Sequence, residues 1–346
     1  MSVQAGDIVD LVTSTLPDLP KLKFRAIAQS LQNYPVMSEW LKKDRVVFDS
    51  GTSIRDVLWH KTLGAAKHTD LMEPDDDLSI GDVLKNIDIP WRQAQTKWSV
   101  GYHETLYNRG KALIVKIIEP RRLSAMLDLA QELEDKAWVT TASGATKTPW
   151  SVPYWIVWTS PGTTGFNGLT PFGSTIAGIS LTDVPNFKNY QFAYTDITRT
   201  DWVRETRRAF AKMRWRPPID YGNAQPEAPK YKIYVNLNTE LLIRERAEDQ
   251  NENLGPDVDS MNGKGVFNKV DIVYVPKLDD YSQDPTYFID HSVFYVGVLK
   301  GDYLRETTKP APRQHNWANT WIDLSYNYVC CDRRRCGVAA KTGYAP

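Results

Sequence analysis

Residues 53–59 read Ser53-Ile54-Arg55-Asp56-Val57-Leu58-Trp59, and residues 98–102 read Trp98-Ser99-Val100-Gly101-Tyr102. Both alternate apolar and polar positions with the two-residue period of a half-buried strand. Between them runs a polar connector that includes Gly64-Ala65-Ala66-Lys67-His68-Thr69-Asp70 and Glu73-Pro74-Asp75-Asp76-Asp77. Two strand-like arms around such a connector predict an extended hairpin from about Phe48 to Glu104. It offers no core of its own, and an isolated two-stranded ribbon is marginal in water. The hairpin is therefore expected to lie on another surface.

Upstream, residues 1–47 hold two short helical candidates, Ile8 to Leu16 and Lys21 to Leu31, separated by Pro17 and Pro20. Neither is long enough to be stable alone. The segment reads as an arm held by a neighbouring chain. Downstream, Pro120 sits at a first helical position with Glu119 before it. Leu123, Met126, Leu127, Ala130, Leu133 and Ala137 then form one apolar stripe, predicting a helix from Pro120 to Trp138 along a sheet.

Beyond Thr148 the chain mixes strands, glycine-rich loops and two more helices. Thr200 is expected to cap a helix running from Asp201 to about Arg214. Tyr231 to Leu237 and Lys269 to Val275 read as strands, and Asn238 or Thr239 begins a helix. Phe288 to Leu299 reads as a buried strand with a turn at Asp290-His291. Trp321 to Cys331 alternates, with Ile322, Leu324, Tyr326, Tyr328 and Cys330 on one side. No repeat and no regular βαβ march is present, so the fold class is α+β.

Composition narrows the function. The 346 residues carry 42 Lys plus Arg against 42 Asp plus Glu, a formal net charge of zero. A dedicated nucleic-acid-binding domain would carry a basic surplus. The apolar run Ala112 to Val115 stops at Lys116, far short of a membrane span. Met1 to Leu16 lacks the pattern of a signal peptide. Three crowded cysteines, Cys330, Cys331 and Cys336, do not make an extracellular disulfide framework; buried thiols in a reducing cytosol are expected. Twelve Trp and 17 Tyr against ten Phe suit subunit interfaces and core, with sugar-stacking platforms as the other reading.

Chemistry-bearing motifs fail one by one. Gly263-Lys264 lacks the glycine spacing and the following Ser or Thr of a phosphate loop. Asp75-Asp76-Asp77 would need glycine where Ile80 stands and glutamate where Asn86 stands to hold calcium. No two of the five histidines share one helix face, and Cys330 and Cys331 face opposite sides of a strand, which opposes a zinc site with His315. Asp290-His291-Ser292 has the residue types of a catalytic triad, yet direct neighbours cannot form a relay. The basic run Arg333-Arg334-Arg335 and the acidic run Glu73 to Asp77 remain, as solvated patches or as partners across a subunit boundary.

A succession of segments resembles the major capsid proteins of tailed double-stranded DNA bacteriophages. It begins with Pro153-Tyr154-Trp155-Ile156-Val157, Gly165-Phe166-Asn167-Gly168, Ala177-Gly178-Ile179 and Phe187-Lys188-Asn189-Tyr190. It continues through Asn253-Leu254-Gly255-Pro256-Asp257, Val275-Pro276-Lys277-Leu278-Asp279 and Ile289-Asp290-His291. It ends with Gln314-His315-Asn316 and Cys331-Asp332-Arg333-Arg334-Arg335. The ordered agreement runs from Leu123 to the end, about two thirds of the chain. Asp332 stands where asparagine is usual in that family and His291 where tryptophan is common.

The resemblance implies an α+β fold of the Hong Kong 97 type, with an N-terminal arm over residues 1–47 and an E-loop over 48–104. It places a P-domain with the spine helix at 105–149, an A-domain at 150–305, and the P-domain's C-terminal strand at 306–346. It implies self-assembly into hexamers and pentamers of an icosahedral shell around phage double-stranded DNA. No catalysis and no cofactor are expected. Inter-subunit contacts would fall to Trp59, Lys61, Lys67, Glu73, Asp75, Asp76, Asp77, Trp91, Trp98, Arg333, Arg334 and Arg335.

Implied partners are many copies of the chain, a portal protein, a separate scaffolding protein, decoration or cement proteins, and packaged DNA touched non-specifically on the inner face. No membrane is involved. The implied location is the virion capsid, after synthesis and assembly in the bacterial host cytoplasm. Some relatives crosslink covalently through Lys and Asn; Lys61 and Lys67 lie in the corresponding loop, and the Asn and Glu partners have no evident counterparts. Two rival readings are an encapsulin-like nanocompartment shell and a Trp-rich carbohydrate-binding or carbohydrate-active protein.

Overall fold

The computed structural model describes residues 34–59, 84–107, 111–169, 175–213, 230–250, 266–268, 270–310 and 316–346. A π-helical turn, Val36–Trp40, passes into a short helix, Leu41–Lys43, and then into strand β1 (Arg45–Phe48). Strands β2 (Ser53–Trp59), β3 (Leu84–Pro90) and β4 (Arg92–Gly101) follow, then helices α1 (Tyr102–Tyr107), α2 (Lys111–Trp138) and α3 (Val152–Trp155). Next come β5 (Gly165–Asn167), β6 (Thr175–Ile176), β7 (Ile179–Ser180), β8 (Asn189–Ala193), α4 (Trp202–Lys212), β9 (Tyr231–Val235) and α5 (Leu237–Gln250). The chain closes with β10 (Val266–Phe267), β11 (Val270–Tyr274), β12 (Thr286–Asp290), β13 (Phe294–Leu299), β14 (Arg305–Pro310), β15 (Trp317–Cys330) and β16 (Gly337–Ala340).

β15 organises the first sheet. β4 pairs along one edge, from Trp317↔Gly101 to Tyr326↔Arg92. β14 and then β13 pair along the other edge, and β1 adds parallel to β13. From Trp317 to Leu324 burial alternates as the sequence pattern requires; from Ser325 to Cys330 both faces are covered. The second sheet has seven strands in the order β10-β11-β9-β12-β16-β8-β5. Helices α4 and α5 pack on one face of it, where Trp202, Ala209, Met213, Leu242 and Ile243 meet Phe192, Ile233 and Phe288.

The sheets divide the chain differently from the expected boundaries. Phe288 to Leu299 is broken by a turn, as its pattern leads one to expect, and that turn at 291–293 sends β12 into the seven-stranded sheet and β13 into the five-stranded one. β16 likewise leaves the sheet of β15 for the other. A boundary at 305/306 therefore matches neither crossover.

The long helix also departs from expectation. α2 begins at Lys111 and runs through Pro120. A proline inside a helix loses one backbone bond and kinks the axis; Pro120 lies on the exposed side, where the unbonded carbonyl can be solvated. The expected stripe holds, since Met126, Ala130, Leu133 and Ala137 are buried. α4 starts at Trp202, and its flanking residue is Asp201 rather than Thr200. The Asp201 carboxylate accepts from the amides of Thr195 and Asp196 instead of capping its own helix.

Candidate functional site

The hairpin is real, but its second arm is not the expected one. β2 pairs antiparallel with β3, from Ser53↔Pro90 to Trp59↔Leu84. Residues 98–101 belong to β4 and to the five-stranded sheet. A strand at 84–90 wins because its register places Ile87 and Ile89 on the same face as Ile54 and Leu58, all four buried against the chain's own core. Gly297 makes that docking possible: a Cβ there would lie 2.8 Å from Ile54 Cδ1 and 3.1 Å from Phe48.

Polar contacts fix the hairpin root. Asp56 Oδ2 accepts from the Tyr295 hydroxyl at 2.6 Å and from Cys331 Sγ at 2.9 Å. Burial, reinforced by that carboxylate, pushes the Cys331 thiol well above its usual range. Asn327 donates to the Pro90 carbonyl at 2.7 Å. Trp91 is half-buried, donates its indole N–H to Gly51 O at 3.0 Å, and meets Phe48 edge-on. The outward face stays bare: Val57 is 56% and Leu84 58% exposed, beside an Arg55–Asp88 pair at 4.0 Å.

Residues 34–47 do not form an outlying arm. Val36, Trp40 and Leu41 are buried in the main core. Trp40 touches the rings of Trp138, Tyr234, His291, Phe294 and Tyr328, with centroids 5.4 to 5.8 Å away. Glu134 Oε2 accepts from the Val36 amide at 3.0 Å, and its Oε1 accepts from Trp138 Nε1 at 2.6 Å. Lys230 pairs with Asp44 at 3.1 Å, and Lys232 pairs with Glu39. Sequence reading missed this hub; the available signal was the Val36, Trp40, Leu41 spacing of an apolar helical face. The remainder of the expected arm, residues 1–33, lies outside the described residues.

Protonation follows from burial. Desolvation pushes the Glu134 carboxyl up to about 8 against two stabilising hydrogen bonds. Desolvation and the nearby Lys232 hold His291 down to about 3. The neutral imidazole shares a hydrogen bond of 2.7 Å between its Nε2 and the Tyr234 hydroxyl. Asp290 holds Ser292 (Oγ at 2.7 Å) and Arg335 (3.1 Å), not His291. No acid–base relay forms there. Among the described residues no group of three His, Cys, Asp or Glu is placed to hold a metal ion.

The arginine run is neither a solvated patch nor a free contact surface. Arg333 is wholly buried and donates to Trp155 O at 2.6 Å, Asn189 Oδ1 at 2.8 Å, Phe187 O at 3.1 Å and Leu169 O at 3.3 Å. Burial pushes its guanidinium down to about 10. Arg334 lies over the Phe166 ring at 4.5 Å, and Arg335 is bound to Asp290. The expected inter-subunit role for Arg333 is thus replaced by an internal one, and Arg334 and Arg335 are engaged within the chain. Trp98, only 5% exposed, belongs to the chain's own core and leaves no ring face for a neighbour. Trp59 ends β2, paired with Leu84. Lys61, Lys67, Glu73, Asp75, Asp76 and Asp77 lie outside the described residues.

No protein-family model matches the chain, and no curated protein matches it. Solved structures do. The chain aligns with the cyanophage A-1(L) capsid at a TM-score of 0.57 and 12% identity, covering 92% of this chain and 93% of that one. It aligns with the capsid of the native GTA particle at a TM-score of 0.56 and 10% identity, covering 88% and 90%. A chain from Microbacterium phage Oxtober96 gives 0.51 and 11%, covering 86% and 89%. The long helix, the extended hairpin and the two sheets joined by repeated crossovers are thus the α+β, Hong Kong 97-type fold of phage capsid chains.

Proposed function

We propose that many copies of this chain self-assemble into hexamers and pentamers of an icosahedral shell that encloses phage double-stranded DNA. The observation that carries the reading is the likeness to capsid chains over about nine-tenths of both partners. Supporting it is a hairpin with a buried inner face and an outer face left apolar at Val57 and Leu84. Exposed apolar surface on a ribbon of this kind suits a neighbouring subunit. Heterologous contacts around a ring suit closure into a shell.

In this reading the β2–β3 hairpin and the connector carrying Lys61, Lys67 and Glu73 to Asp77 form the E-loop, lying over the adjacent copy with Trp91 at its root and Trp59 where the ribbon meets the connector. The five-stranded sheet with α2 is the peripheral domain, and the seven-stranded sheet with α4 and α5 is the axial one. The work is assembly, not turnover. Its setting is the virion capsid, built in a bacterial cytoplasm with a portal protein, a separate scaffolding protein and decoration or cement proteins. Packaged DNA meets the inner face without sequence preference. No helix among the described residues is long and apolar enough to cross a membrane.

The test is size-exclusion chromatography and negative-stain imaging of the purified chain expressed with its scaffolding protein. A megadalton peak of closed shells is expected. A monomer at 39.4 kDa under those conditions overturns the proposal. Nuclease treatment of intact virions, followed by opening them, separates the nanocompartment alternative, since only a genome container protects long DNA.

A further inference from the structure

α4 is apolar on one side and basic on the other. Trp202, Thr206 and Ala209 are buried, and Met213 continues that side just past the helix end. At about 3.6 residues per turn, Arg204, Arg207, Arg208 and Lys212 fall on the opposite arc, and all four are exposed. Only Ala211 lies among them. Arg204, Arg208 and Lys212 follow one another about 6 Å apart along the axis.

Acids do not neutralise this arc. Glu205, the one acid within α4, is tied to Arg208 at 2.9 Å. Asp201 accepts from the amides of Thr195 and Asp196, and Asp196 accepts from that of Ile197. Residues 199–216 hold seven Lys or Arg and two acids, in a chain whose formal net charge is zero. The surplus is confined to α4: on α5, packed on the same sheet face, Arg244 is tied to Glu240 at 2.6 Å and Glu245 is exposed.

A row of guanidinium groups and an ammonium, with no Asn or Gln between them to read base edges, suits phosphates. The acidic run Glu73 to Asp77 offers four carboxylates on one short segment. A duplex offers one charge per about 1.7 Å of its axis and continues past both ends of α4.

We propose that the exposed arc of α4 binds the phosphate backbone of double-stranded DNA, and that the face of the seven-stranded sheet carrying α4 is the inner face of the shell. α4 takes this role within the shell around DNA proposed above, on which the assignment rests. The contact has no sequence preference and releases counterions, so its affinity falls steeply with salt.

The test is binding of the full chain to a fluorescein-labelled duplex of arbitrary sequence, read by anisotropy across a salt series. Arg204→Gln/Arg207→Gln/Lys212→Gln is expected to bind at least tenfold more weakly than the parent at low salt. Its plot of log Kd against log salt should be shallower by about two to three units. Lys42→Gln/Lys43→Gln/Lys300→Gln removes as much charge from other exposed positions and is expected to match the parent. Equal affinities of parent and α4 variant, or equal weakening in the control variant, overturn the proposal. So does displacement of the duplex by an equimolar peptide of residues 70–80, which gives the face to the acidic run of another copy. Ala211→Cys tests the placement: a polyethylene-glycol maleimide is expected to add there only after closed shells are opened, and addition to intact shells overturns the inner-face assignment. Shells built from a parent that binds no duplex sink this surface alone. Duplex binding that depends on α4, in a parent that forms no shells, upholds the phosphate contact and sinks the container.

Discussion

Trp40 donates its indole N–H to the Tyr234 hydroxyl at 2.7 Å, across 194 residues of chain. The Tyr234 hydroxyl is in turn hydrogen-bonded to the neutral His291 ring. The pair welds the segment before β1 to β9, the strand next to β12 in the seven-stranded sheet. It turns what reads as a loose leader into the centre of the core.

Trp40→Ala is therefore expected to destabilise the folded chain by about 3–5 kcal/mol, the range for removing a buried tryptophan. Trp40→Phe keeps most of the packing but leaves Tyr234 without its donor, and should cost about 1–2 kcal/mol. Denaturant unfolding of the unassembled subunit measures both. A loss below about 1 kcal/mol for the alanine variant would show that the segment is not docked.

Glu134 makes stability depend on pH with a definite sign. Its folded pKa, about 8, lies above the 4.5 of an ordinary glutamate. Between those values the folded chain keeps a proton that the unfolded chain releases, so stability falls as pH rises from about 4.5 to 8 and is level beyond. His291 works in the opposite sense: held at about 3 rather than 6.5, it adds stability as pH rises from 3 to 6.5. Asp135 is a further charge acting on Glu134, while Lys232, Lys230 and Asp44 act on His291. Glu134→Gln should remove the decline between 4.5 and 8, a change on the order of a few kcal/mol, at the cost of one of the two hydrogen bonds. Unfolding free energies measured from pH 5 to 8.5 test this; an unchanged slope in the variant counts against the assignment.

Arg333→Met takes the side-chain donor from the carbonyls of Trp155, Phe187 and Leu169 and leaves Asn189 Oδ1 with the Val157 amide, 3.2 Å away. The expected loss is about 3–5 kcal/mol, as for other broken buried charge networks. Arg333→Lys should recover only part of it, because an ammonium cannot reach four acceptors spread around a planar fork. The same unfolding assay decides. A methionine variant as stable as the parent would mean that the buried guanidinium contributes nothing.

Deleting Gly64 to Ser79 should separate folding from assembly. Trp59 and Leu84 are directly opposed in the ladder, so the shortened connector can still join β2 to β3. The variant is expected to keep the parent's unfolding midpoint within a few degrees yet to form no closed shells by negative-stain imaging. Normal particles from the variant would refute the role proposed for the connector.

Periodicity alone settled a good deal. The stripe from Met126 to Ala137 and the alternation from Ile322 to Cys330 each report which side of one element faces the core, and that information is local. The α+β class and the existence of an extended hairpin were both legible from neighbours in sequence. What only the tertiary structure decided is which distant partner each element meets. The alternation at 98–102 pointed to the wrong second arm, and burial of Ile87 and Ile89 beside Gly297 goes with 84–90 as the strand that closes the hairpin. Three arginines looked equally exposed until carbonyls from positions 155, 169 and 187 converged on one of them. Trp40 looked peripheral until five rings enclosed it. Side-chain spacing fixes a face, whereas the choice of partner depends on desolvation and shape summed over segments a hundred or more residues apart, which no local pattern carries.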